Sequence, residues 1–77
     1  MERRLVQSSN VKSVGYDQRT GEMEVEFHTG RVYRYNQIPG IIHDGLLAAR
    51  SPGGFLREWV QGRFDAKELI EGGKENA

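Results

Sequence analysis

Arg50, Ser51, Gly53, Gly54 and Arg57 crowd into the run Arg50-Ser51-Pro52-Gly53-Gly54-Phe55-Leu56-Arg57, the part of the chain whose residue types best suit ligand chemistry. Ser51-Pro52 reads as a helix N-cap followed by a first-turn proline. The first N–H groups of such a helix lack intrahelical partners, its dipole adds partial positive charge, and glycine lets a ligand approach the backbone. Two arginines would complete an anion site there, with Arg31 or Arg63 as further cations and Tyr33 and Tyr35 as a base-stacking platform. Each residue also has a plainer role. Ser51 caps the helix, the glycines permit a tight turn between helices, and the tyrosines fill a core with their hydroxyls at its rim. Taken alone, the residue types favour these plainer roles.

Catalytic chemistry finds less support. Ser51, His43 and Asp44 contain the residue types of a hydrolase, but no strained nucleophile turn surrounds the serine, and His43 is expected on the polar side of a helix. Glu22, Glu24 and Glu26 alternate as the solvated face of a strand does. Two histidines far apart and no cysteine supply no metal spacing, and no phosphate loop is present. The expectation is a non-enzymatic module with no catalytic residues, metal or cofactor.

The elements that position these residues follow from periodicity. Met23, Val25 and Phe27 alternate with the glutamates up to Thr29-Gly30, and Val32 to Tyr35 resume beyond it, which predicts a β-hairpin. A two-residue turn would split the apolar set. A three-residue loop His28-Thr29-Gly30, with Gly30 left-handed, pairs Phe27 with Arg31, Val25 with Tyr33 and Met23 with Tyr35, and sets Glu24 opposite Arg34. That register is preferred, and it leaves a glutamate-bearing open face that would repel phosphate. Val11 to Asp17 forms a first strand with Val14 and Tyr16 inward, joined by the turn Gln18 to Gly21. Upstream, Leu5 and Val6 cap the core or add an edge strand, and the first residues are expected to be loose.

After Tyr35 the period becomes helical. Pro39 to about Arg50 is predicted as one helix, with Ile38, Ile41, Ile42, Leu46 and Ala49 inward and Gly40 and Gly45 weakening it. Pro52 to about Gln61 or Phe64 is predicted as a second, burying Phe55, Leu56, Trp59 and Val60 while Arg57, Glu58 and Gln61 face water. Asp65 to Glu68 resembles a capping signature for one more turn carrying Leu69 and Ile70, stopped by Gly72-Gly73. The predicted fold is α+β: a three-stranded antiparallel meander followed by two helices packed on one face. It is read as a single domain, residues 1–77, with an ordered core over 8–70 and a flexible tail over 71–77.

Composition bounds the partners. A chain of 77 residues has a thin core. Eleven basic residues balance eleven acidic ones, which argues against a general polyanion binder but leaves room for a local basic patch. The basic residues are eight arginines and three lysines, a bias suited to bidentate contacts. No disulfide is possible, and no signal peptide or long apolar run is present, so a cytoplasmic location without membrane contact is expected. Composition leaves the oligomeric state open.

From about Ser8 to Phe64 the chain resembles the KTSC domain, a short module named for its place at the C-terminus of some lysyl-tRNA synthetases and also found as free-standing small proteins. The resemblance is carried by Ser9-Asn10-Val11, Gly15-Tyr16-Asp17 and Val25-Glu26-Phe27 followed by Gly30. It continues through the Y-x-Y of Tyr33-Arg34-Tyr35, Pro39, and Ala49-x-Ser51-x-Gly53-x-Phe55 leading to Val60 and Phe64. Arg57 departs from the pattern, which favours asparagine there. Attachment to a tRNA-handling enzyme implies RNA as the partner, as an association rather than a mechanism, and the resemblance carries over no catalytic residues. The first function expected is RNA or other nucleic-acid binding through the helix start at Arg50 to Arg57; the alternative is a protein–protein interaction module.

Overall fold

A computed structural model describes residues 1–69 of the chain. In order, the elements are β1 (Arg3–Leu5), β2 (Val11–Asp17), β3 (Glu22–Phe27), β4 (Val32–Tyr35), α1 (Gly40–Ala48), α2 (Pro52–Trp59) and β5 (Ala66–Leu69). The strands form one five-stranded antiparallel sheet in the sequential order β1-β2-β3-β4-β5.

The central hairpin has the three-residue-loop register. Met23 pairs with Tyr35, Glu24 with Arg34 and Val25 with Tyr33. Phe27 N–H donates to the Arg31 carbonyl at 2.9 Å, and Gly30 sits at φ +96°, where glycine is the unstrained residue. Because side chains alternate across a sheet, this register places Met23, Val25, Tyr33 and Tyr35 on one face together with Val14. Leu46 of α1 and Leu56 of α2 close over that face, and with Val11, Ile38 and Val60 they complete the buried core.

The meander is extended at both edges, which corrects the three-stranded expectation. At the N-terminus, β1 pairs with β2 from Arg3 onward, so the chain start is an edge strand rather than loose. Residues 66–69 pair with β4 instead of forming a helical turn. The open edge of β4 needs hydrogen-bond partners, and β5 supplies them, with Asn36 N–H donating to the Asp65 carbonyl at 3.0 Å next to the ladder. The expected helical position of Ile70, the Gly72-Gly73 stop and the 71–77 tail lie outside the described residues.

Two inward assignments on the helices are corrected. Trp59 is 44% exposed and Ile41 79% exposed, although Leu56, Val60, Ile38 and Leu46 are buried as expected. Pro52, Leu56 and Val60, four apart, form the buried row of α2 and its C-cap. Phe55 and Trp59 lie on the adjacent row, where Phe55 packs beside Gly45 of α1 while Trp59 projects outward. Ile41 falls on the outer side of α1. His43 also departs from expectation: its ring stacks on Tyr16 at a 4.3 Å centroid distance and 11° interplanar angle.

On the opposite sheet face, Arg3, Gly15, Glu24, Arg34 and Lys67 form one cross-strand row. Glu24 is 9% exposed and lies between two guanidinium groups, accepting from Arg34 Nη2 at 2.9 Å and facing Arg3 Nη1 at 3.6 Å. That hydrogen bond, more than any other influence, holds the Arg34 pKa above its ordinary value. Glu26 accepts from Ser13 Oγ at 2.8 Å. The glutamates of this face are engaged, so it is not the bare acidic surface expected from alternation. Among the described residues, no helix is long and apolar enough to cross a membrane.

Candidate functional site

The register that buries Tyr35 also builds a groove. Tyr33 is only half-buried, and an open space beside it is bounded by Gly53, Leu56 and Arg57 of α2. The open space, 540 Å³, is walled by Phe27, Tyr33, Tyr35, Leu56 and Ala66, and its polar rim includes Asn10, Thr29, Arg31, Arg57 and Gln61. Phe27 meets Tyr33 edge-on at 5.9 Å, and Tyr33 stacks on Tyr35 at 6.5 Å with a 27° interplanar angle. These rings present an aromatic wall with fixed orientation.

Different elements supply the rim. Arg31 and Thr29 come from the β3–β4 loop, and Asn10 precedes β2. Gly53, Arg57 and Gln61 recur at four-residue spacing along α2 and just past it, hence on one side of the helix. Asn10 packs tightly on Gly53: a Cβ there would lie 3.0 Å from the asparagine side-chain nitrogen. Gln61 hydrogen-bonds the Tyr35 hydroxyl, lowering its pKa, but burial outweighs this and pushes the phenol upward. Tyr35 is therefore a neutral hydroxyl at ordinary pH.

Two cations therefore face an aromatic groove. Arg57 is exposed, and Arg31 has an exposed carboxylate partner in Glu68 at 3.9 Å. A surface pair of that length is worth little, and an incoming anion can replace it. The arrangement suits a flat, uncharged ring against Tyr33 with an anionic group at the rim.

The start of α2 is used differently. Ser51 Oγ accepts from Gly54 N–H at 3.2 Å, the plain capping role. Ser51 and Gly54 line a second, 520 Å³ cleft with Phe55, Arg57, Glu58 and Trp59. Arg50 lines neither space. Arg63 lies over the Trp59 ring, its guanidinium carbon 5.3 Å from the centroid, and its Nε donates to the Glu58 carbonyl at 3.0 Å. Of the nominated residues, the structure thus brings Arg31, Tyr33, Tyr35, Gly53 and Arg57 together. Asn10, Phe27 and Gln61 are members the sequence reading missed. Phe27 was legible from its shared face with Tyr33, and Gln61 from its spacing to Arg57.

A third space, 480 Å³, is lined by Glu2, Arg4, Tyr16, His43 and Asp44 among others. His43 Nδ1 lies 3.4 Å from Asp44 Oδ1, while Tyr16 donates its hydroxyl to the Ile38 carbonyl at 2.6 Å.

These features define a small α+β module: one antiparallel sheet, two helices on one face and an aromatic groove at their junction. The KTSC domain family model matches residues 7–64, and the chain belongs to that family. A crystal structure of a KTSC domain protein from Yersinia pestis superposes with a TM-score of 0.84 at 30% identity, covering 90% of this chain and 97% of that one. A protein of Tsukamurella paurometabola is 38% identical, over 83% of this chain and 96% of its own length. A lysine–tRNA ligase of Nostoc punctiforme is 30% identical over 82% of this chain, a match that spans 11% of the ligase.

Proposed function

We propose that this chain is a cytoplasmic, non-enzymatic module that binds single-stranded RNA in the groove between β4 and α2. The observation that carries this reading is the convergence of Arg31 and Arg57 on a groove walled by Phe27 and Tyr33. Aromatic faces stack on any base, and arginine at the rim pairs with phosphate, the combination that single-strand binders use. The presence of a similar segment in a lysine–tRNA ligase supports RNA over other polyanions. The second reading, a protein-interaction module, draws on the exposed apolar side chains of Ile41, Leu47 and Trp59.

An NMR titration with a mixed pool of short RNAs, at low and at high salt, tests the first reading. Amide shifts are expected at Asn10, Thr29, Arg31, Arg57 and Gln61, diminishing as salt rises. Shifts confined to the outer side of α1, or none in low salt, would remove RNA from the account and favour a protein partner.

A further inference from the structure

Arg57 lines both the aromatic groove and the cleft that holds Trp59. Trp59 is the largest exposed aromatic side chain and is not part of the buried core. Its ring contacts Phe55, tilted at 40° with centroids 6.4 Å apart, and the Arg63 guanidinium lies 5.3 Å from its centroid. A large indole held in a defined pose at the surface, beside a cation shared with a second aromatic site, is more than an unburied core residue. Glu58 lies in the same cleft and disfavours a phosphate there, whereas an uncharged ring is tolerated. The two spaces thus alternate in chemistry: aromatic groove, arginine, aromatic cleft. A nucleic acid strand alternates the same way: base, phosphate, base.

Building on the RNA-binding reading above, we infer that the ligand is a strand of at least two nucleotides crossing the last turn of α2. One base lies against Tyr33 in the groove, the linking phosphate sits at Arg57, and the next base stacks on Trp59. The ligand class is thereby a single-stranded oligonucleotide rather than a free nucleotide, which would fill the groove alone. Arg57 acts as the bridge, contributing to binding at both subsites.

Trp59 is the chain's only tryptophan, so intrinsic emission reports on the second subsite without any substitution. Uridine 5′-monophosphate and oligouridylates of two and six nucleotides are titrated while Trp59 emission and Tyr33 ring resonances are followed together. The monophosphate is expected to move the Tyr33 resonances and leave Trp59 emission unchanged; the two longer probes should quench it. Trp59→Ala should weaken the hexamer roughly tenfold while leaving the monophosphate unaffected. Arg57→Ala should weaken both. Hexamer binding that moves Tyr33 but neither quenches Trp59 nor responds to Trp59→Ala would overturn the bridging inference while the groove reading stands. Absence of any Tyr33 response to the hexamer would overturn both.

Discussion

At the scale of single residues, two neighbouring rows on α2 differ in burial, and so in what they should contribute to stability. Leu56 is 1% exposed at the centre of the core, so Leu56→Ala should cost about 2–5 kcal/mol through lost burial and a cavity. Trp59, nearly half exposed, should cost only about 1–2 kcal/mol as Trp59→Ala, despite being the larger side chain. Urea denaturation of the two variants checks this ordering, and its reversal would mean that Trp59 is a core residue after all. Tyr35 supplies a pH test. Burial raises its phenol pKa, so the neutral hydroxyl is favoured in the folded state, and its contribution is intact below the unfolded value near 10. It is lost as pH rises through the folded value. The thermal midpoint should therefore fall more steeply above about pH 10 in the wild type than in Tyr35→Phe. Parallel curves would show that Tyr35 ionises as freely in the folded protein as in the unfolded one.

At the scale of elements, legibility follows length and constraint. The β3–β4 hairpin was readable because its alternation extends through both strands and Gly30 admits one loop geometry. Gly30→Val should thus destabilise far more than Thr29→Val, since only Gly30 holds a positive φ. Thermal melts of the two variants decide it, and equal tolerance would contradict the observed loop. The edge strands were harder. β1 has three residues and β5 four, too few to show a period, and the Asp65 to Glu68 run carries a plausible helix start. Tertiary demand prevailed there: the free edge of β4 offered a ladder that one isolated helical turn could not match. Ser51 behaved as the sequence suggested, as a cap. Trp59 and Ile41 were misplaced because helical periodicity marks a broad stripe, whereas these short helices bury little more than one row each.

At the scale of the whole molecule, the candidate site is an assembly of distant segments, and this explains why it was only half legible. Arg31, Tyr33, Tyr35, Gly53 and Arg57 were each identifiable by type. Their convergence depends on α2 closing over β4, and on Asn10 seating against Gly53, neither of which local pattern encodes. Arg50, adjacent in sequence to the same cluster, lines neither space, so it should matter less to RNA affinity than Arg57. With formal charge balanced over the chain, a salt-dependent interaction must come from a local patch rather than the global field. The most direct test is the dependence of RNA affinity on salt, measured by fluorescence anisotropy with a labelled hexanucleotide, for wild type and for the Arg31→Ala/Arg57→Ala double variant. Each phosphate contact contributes roughly 0.7 to the log–log slope for a single strand. The wild type should therefore show a slope of about −1.4 or steeper, and the double variant should lose about 1.4 of it with little change in thermal midpoint. A wild-type protein that binds no RNA in low salt, or a double variant with an undiminished slope, would contradict the groove as the RNA site.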